Sequence, residues 1–295
     1  MNAPVVVGVD GSSSSLDAVD LAAREAKVRG CGLTVVHALS WPKKHAPPGT
    51  SPLGQPEGGL RDMIGRMVAE AVERARSAEP EVQVTNAVVT GEPLTVLQGQ
   101  SSKAALVVVG SRGLGGFAGL LLGSTAVHLA AHSHCPVLVV REQPRTARQI
   151  LLGVDGSPVG DAAVEFAFAE AALRGSPLRA LHAWTMWSAS MPALQDDSMP
   201  YTNPAGELED AEERLMAEAL AGRSEKYPGV AVEHTVVRGG AREALIEASR
   251  DAGLLVVGAR GRGGFAGLLL GSVSQALLQH AHCPVAVVRG SDAHR

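Results

Sequence analysis

The chain repeats itself. Residues 110–123 and 258–271 agree at twelve of fourteen positions, at an offset of 148, and both contain Arg-Gly-x-Gly-Gly-Phe-Ala-Gly-Leu-Leu-Leu-Gly. The repetition reaches far beyond that segment. Val-Gly-Val-Asp-Gly-Ser at 7–12 returns as Leu-Gly-Val-Asp-Gly-Ser at 152–157, and His-Ser-His-Cys-Pro-Val at 132–137 returns as His-Ala-His-Cys-Pro-Val at 280–285. A full duplication demands two units of about 145 residues, each large enough to bury a core of its own. The boundaries expected are 1–143 and 149–295, with the polar stretch 142–149 as linker.

Within each unit, short valine-rich runs alternate with amphipathic stretches. The runs at 5–9, 33–39, 82–89, 106–109 and 137–140 read as strands of a sheet buried on both faces. Residues 15–29, 60–78, 93–102 and 124–132 between them read as helices, the first capped by Ser12 or Ser13. The order βαβαβαβαβ predicts a doubly wound, parallel α/β sheet. The second unit repeats it, with strands at 150–154, 178–183, 230–237, 254–257 and 285–288. Two irregular excursions, 41–59 and 185–206, fall at matching places and read as lids, partner surfaces or disorder. Pairing of the last strands of the two units, antiparallel across a pseudo-twofold axis, would cover both sheet edges and make an intramolecular pseudo-dimer.

Composition removes several classes of function. With 45% hydrophobic residues, 19% charged and a net charge of -4, the chain lacks the positive field that nucleic acid requires. Three cysteines without a CxxC pair argue against a disulfide framework and for the cytoplasm. Neither an export signal nor a run of about 18 apolar residues is present, so no membrane span is expected.

The chemistry gathers in two places. Gly110, Gly113, Gly123 and Ser124, repeated as Gly258, Gly261, Gly271 and Ser272, form Gly-x2-Gly-x9-Gly-Ser directly after a buried strand. Glycines there let the backbone approach an anion, and the helix beginning at the serine aims N–H groups and a positive dipole end at a phosphate. Asp10 and Asp155 end the first strand of each unit, where a carboxylate can accept from a ribose hydroxyl or hold magnesium; a turn and helix cap is the plainer alternative.

The glycine pattern, the opening Val-Gly-Val-Asp-Gly-Ser and the closing Cys-Pro-Val-(Leu/Ala)-Val-Val resemble the universal stress protein family in its tandem two-domain form. The resemblance covers nearly the whole chain. It implies a 3-2-1-4-5 parallel, Rossmann-like sheet in each unit and a stress-response role resting on ATP binding. By that resemblance Gly8 and Asp10 contact the nucleoside and Ala38 lies near the adenine, while Gly110, Ser111, Arg112, Gly113, Leu114, Gly115, Gly116, Gly123, Ser124 and Thr125 hold the phosphates. The counterparts are Gly153, Asp155, Ala183, Gly258, Ala259, Arg260, Gly261, Arg262, Gly263, Gly264, Gly271, Ser272 and Val273, so two ATP sites are expected.

Other nucleotide motifs fit less well. No Gly-x4-Gly-Lys-(Ser/Thr) occurs, so the P-loop lysine is missing and fast hydrolysis is not expected. Gly113-x-Gly115-x-x-Ala118 follows the fourth strand rather than the first, with no strand-ending acid about 20 residues on, which disfavours a dinucleotide. A Ser-Gly-Gly-x-Asp-Ser pyrophosphatase loop is absent. Arg112 and Arg260 either neutralise phosphate or stay solvated, and Arg262 stands where the first unit has Leu114, so an arginine contact there makes the sites unequal. His132, His134 and Cys135, with His280, His282 and Cys283, straddle a helix end and a strand start and read as structural rather than as a zinc site. His37 and His182 read as packing or adenine-edge residues. The acid-rich stretch 207–227 reads as a solvated face over a core stripe, or as a partner-binding helix. No nucleophile, base and orienting acid combine convincingly. The leading expectation is an ATP-binding regulator with an unidentified protein partner, able to form a homodimer. The alternatives are a magnesium-dependent ATPase or nucleotidyl or phosphoryl transferase using Asp10 and Asp155, and an interaction scaffold with incidental nucleotide.

Overall fold

The computed structural model describes residues 2–40, 57–113, 122–141, 147–186, 205–262 and 269–290. The chain divides into two compact units, Met1–Arg141 and Glu142–Arg295.

In the first unit the elements are β1 (Val5–Gly8), α1 (Ser13–Arg29), β2 (Leu33–Leu39), α2 (Glu57–Ala78), β3 (Val84–Thr90), α3 (Pro93–Ser101), β4 (Leu106–Gly110), α4 (Ser124–His132) and β5 (Val137–Val140). The strands lie in the order β3-β2-β1-β4-β5. Each neighbouring pair is parallel, with Val5 opposite both Leu33 and Leu106, Leu33 opposite Val84, and Val107 opposite Val137. The inner strands are almost wholly buried because helices cover both faces: α1 packs with α2 on one, α3 with α4 on the other. Ala18, Ala22, Ala23 and Ala26 give α1 a stripe of small residues, all fully buried, which brings the helix close to the sheet. β3, at the outer end of this order, is largely exposed and correspondingly carries Thr85, Asn86 and Thr90. α1 ends at Gly30, whose φ of 59° places it in the left-handed region that glycine tolerates.

The second unit contains β6 (Ile150–Val154), α5 (Asp161–Arg174), β7 (Leu178–Trp184), α6 (Ala205–Leu220), α7 (Arg223–Lys226), β8 (Val232–Arg238), α8 (Ala241–Ala248), β9 (Leu254–Gly258), α9 (Ser272–His280) and β10 (Val285–Val288). Its strand order, β8-β7-β6-β9-β10, is the same topology, again wholly parallel. One local difference matters. α1 starts directly from its Ser12 cap, whereas a 3-10 turn over Pro158–Gly160 precedes α5, where the first unit has Ser13-Ser14-Ser15.

α2 and α6 begin at Glu57 and Ala205, so each helix takes up the final residues of the excursion expected before it. The rest of both excursions, and most of the expected linker, lie outside the described residues. The stretch 207–227 divides at Gly222, whose φ of 73° interrupts the helix. Leu208, Glu212 and Met216 form its buried stripe, and the middle member is an acid with no exposure at all.

Because every strand in a unit runs the same way, the segments after β1 and β4 emerge at one edge. The chain turns to opposite sides of β1 on leaving β1 and β3, which makes the β1/β4 border the topological switch point where open α/β sheets form a crevice. The β6/β9 border is its equivalent.

Candidate functional site

Asp10 lies two residues beyond β1. Its Oδ1 accepts from the Ser12 N–H at 3.0 Å and from the Ser12 hydroxyl at 2.7 Å. Ser12 is also the N-cap of α1, accepting from the Ser15 N–H at 3.2 Å. The turn-and-cap role is therefore present, but the carboxylate does more than that. A Cβ added to Gly113 would sit 2.5 Å from Asp10 Oδ2, so only a glycine lets the post-β4 segment lie against the carboxylate. The second unit repeats each element of this. Asp155 Oδ1 accepts from the Ser157 N–H at 3.0 Å and hydroxyl at 2.7 Å, Gly261 presses on Oδ2, and the Arg262 N–H donates to that same oxygen at 2.8 Å. Each aspartate thus couples the two loops that flank its switch point.

Other glycines have different reasons. A Cβ on Gly110 would strike the backbone of Ser14 at 2.7 Å, where the α1 start packs on the end of β4. Gly8 and Gly153 make room for Leu97 and Leu245, the matching leucines of α3 and α8. Gly123 and Gly271 meet no close neighbour as tight as these, yet both are N-caps without a side chain, so no side-chain oxygen caps the first amides of α4 and α9. Such amides suit an anion. The loops are tied at their necks, Gly123 N–H to Ser111 O at 2.8 Å and Gly271 N–H to Ala259 O at 2.7 Å. Ser14 holds the first neck further, its hydroxyl 3.5 Å from that of Ser111 and 3.4 Å from the Arg112 N–H. Leu114, Gly115, Gly116, Gly263 and Gly264 lie outside the described residues, as does Ala118.

In the second unit these parts border a cavity of 1170 Å³. Its wall contains Gly153, Asp155, Ala183, Gly258, Arg260, Gly261, Arg262, Gly271, Ser272 and Val273 from the sequence expectation. Ala259 is buried. Ala38, the first-unit counterpart of Ala183, sits in β2 opposite Val89 near the same sheet edge. Wall residues that the sequence did not single out include Gly156, Leu215, Glu218, Gly239, Arg242 and Leu245. Gly156 belongs to the repeated Asp-Gly-Ser, and its φ of 68° with Leu215 2.5 Å from a would-be Cβ repeats the arrangement of Gly11, with φ of 87°, against Met67.

His37 and His182 both place Nδ1 2.8 Å from a backbone oxygen, of Val9 and Val154. In the second unit Nε2 also meets Glu212 Oε2 at 2.6 Å, deep in the interior. With both ring nitrogens engaged, His182 is not arranged to take a proton from a ligand. The His-Cys segments are held by their surroundings: Ser101 Oγ and Ser249 Oγ accept from the His134 and His282 N–H groups, each at 2.9 Å. Burial pushes the Cys135 thiol up to about 11 and that of Cys283 up to about 12. Among the described residues, no three His, Cys, Asp or Glu side chains converge as a metal site, and no helix is long and apolar enough to cross a membrane.

Two parallel 3-2-1-4-5 units in one chain, each with a glycine–aspartate contact at its switch point, define a tandem Rossmann-like protein. Comparison with known families gives the class its name. The universal stress protein family model matches residues 1–141 and again 146–289, and the chain belongs to that family. Universal stress protein Rv1996 of Mycobacterium tuberculosis is 39% identical over 98% of this chain and 95% of its own length. Universal stress protein Rv2623 of the same organism is 38% identical over 97% of this chain and 96% of its own. A crystal structure of a universal stress protein from Archaeoglobus fulgidus superposes with a TM-score of 0.72, covering 99% of this chain and all of that one, at 18% identity.

Proposed function

We propose that this protein is an ATP-binding regulator of the stress response, with one nucleotide site per unit, acting by binding and with at most slow hydrolysis. The observation that carries the reading is the second unit's cavity. Residues from the ends of β6, β7 and β9, the loop after β9 and the start of α9 meet around one space. Small-molecule sites usually occupy about 300–1,000 Å³, so 1170 Å³ accommodates a nucleoside triphosphate.

The residues present suit such a ligand. The first amides of α9, uncapped by a side chain, with Arg260 and Arg262, offer donors and positive charge to a phosphate chain. Asp155, one carboxylate beside the phosphate end, is what magnesium bound chiefly through phosphates asks of a protein. Leu181, Ala183 and Leu245 supply an apolar surface for a base. The glycine–aspartate joint is reproduced in the first unit, which supports a second site there. Bound nucleotide would link the loops after the first and fourth strands and thereby set the surface offered to a partner protein. A catalytic role is not favoured: no lysine is among the described residues of the cavity wall, and His182 is committed to Val154 and Glu212.

Mass spectrometry of the protein under native conditions, with ATP titrated in, tests the reading. The expected result is a ladder of one and then two adducts of nucleotide mass per chain. A spectrum unchanged at millimolar ATP overturns it.

A further inference from the structure

A buried acid in the second unit has no counterpart in the first. Glu212, with 0% exposure, occupies the middle of the α6 stripe, and Ile64 stands 148 positions earlier at the same place in α2, 6% exposed. Registration of the two helices is secure, since Met67 and Leu215, likewise 148 apart, pack on Gly11 and Gly156. A leucine-sized apolar residue therefore serves the fold at this position. Burying a carboxylate instead carries a desolvation cost, which makes it weak as a stabilising device.

Glu212 is accompanied by a second change. Its Oε2 meets His182 Nε2 at 2.6 Å and Arg262 Nη1 at 3.9 Å, and Arg262 replaces the first unit's Leu114. The histidine is not the difference between the units, for His37 makes the same bond to its own neighbouring strand. The acid and the arginine are. Together they place a guanidinium at the cavity wall, attracted to the buried carboxylate as an ion pair. The Arg262 N–H is bound to Asp155 Oδ2 at 2.8 Å, its side chain is 30% exposed, and Nη2 would lie 2.8 Å from a Cβ on Gly156. Arg242 adds a further positive charge to this wall where the first unit has Leu94.

We infer that Arg262, positioned by the buried Glu212–His182 pair, makes the second unit select its nucleotide by the number of phosphates, so that the two sites of the chain are unequal. The inference rests on the nucleotide reading above. A planar guanidinium held beside the site by a buried carboxylate pairs with phosphate oxygens more strongly and more specifically than a mobile surface arginine, because less side-chain freedom is lost on contact. Glu212 is a positioning residue in this arrangement, acting on the ligand only through Arg262.

Calorimetric titration of the full chain with adenosine, AMP, ADP and ATP tests it, using wild type, Arg262→Leu, Arg262→Lys and Glu212→Gln, each first checked for a native melting transition. In wild type, two classes of site are expected, one gaining at least tenfold more affinity from AMP to ATP than the other. Arg262→Leu, which installs the first unit's residue, should weaken ATP at that class about 10- to 100-fold while leaving AMP within twofold. Lysine should restore part of the loss. Glu212→Gln should lower the ATP-to-AMP ratio several-fold without touching adenosine. Equal classes, or an Arg262→Leu variant that changes ATP and AMP alike or neither, overturn the inference and leave the nucleotide reading standing. No adenine nucleotide bound at either site overturns both.

Discussion

At the level of single residues, the aspartates explain why positions 113 and 261 are glycines. The glycine spacing predicts room for a ligand's anion at Gly113 and Gly261; the anion they approach within the protein is the carboxylate of Asp10 or Asp155. Gly113→Ala must push Asp10 or the loop aside, at a cost of about 1–3 kcal/mol, visible as a lower urea midpoint. The cysteines make a second residue-level prediction. At pH 8 a thiol at about 11 is ionised roughly once in a thousand molecules, and one at about 12 roughly once in ten thousand. Native protein treated with a thiol reagent at that pH should therefore be labelled at half-buried Cys31 well before Cys135 or Cys283, and all three should react in urea. Rapid native labelling of Cys283 would contradict its burial.

The helix starts and ends carry their own consequences. Ser12 both caps α1 and donates to Asp10 Oδ1 at 2.7 Å. Ser12→Ala should cost about 0.5–2 kcal/mol, read from chemical denaturation. In α4, His128 stacks on His132 with ring centroids 4.1 Å apart, and burial, then the neighbouring imidazole, hold His128 below its ordinary value of 6.5. The fold therefore prefers neutral His128. Above pH 6.5 neither state is protonated there and the residue is silent; as pH falls through that value the unfolded chain gains the proton first, and stability declines. Melting temperatures at pH 7.5 and 5.5 should differ by less in His128→Gln than in wild type. An unchanged difference would remove His128 as a contributor.

Considered whole, the molecule is legible in its sequence wherever local pattern decides. Valine runs give the strands, the duplication gives two units, and Gly-x2-Gly-x9-Gly-Ser marks the segment that meets the aspartate. What escaped has a physical reason. Glu212 sits among Glu209, Asp210 and Glu213, so its letter gives no sign of a buried pairing with His182, thirty positions away in sequence and adjacent only after β7 and α6 pack. Nothing in the letters of Leu215 and Leu245 sets them apart from other leucines, and the folded geometry makes them cavity wall. The break at Gly222 is masked because charged residues of both signs continue beyond it, from Arg223 to Lys226.

The central claim is that each glycine–aspartate joint belongs to a site for one adenine nucleotide. Equilibrium dialysis against labelled ATP, performed on wild type, Gly113→Ala, Gly261→Ala and the double variant with folding confirmed by circular dichroism, tests it most directly. The account predicts two nucleotides per wild-type chain, one in each single variant and none in the double. A folded double variant that binds as wild type does, or a wild type that binds nothing, would contradict it.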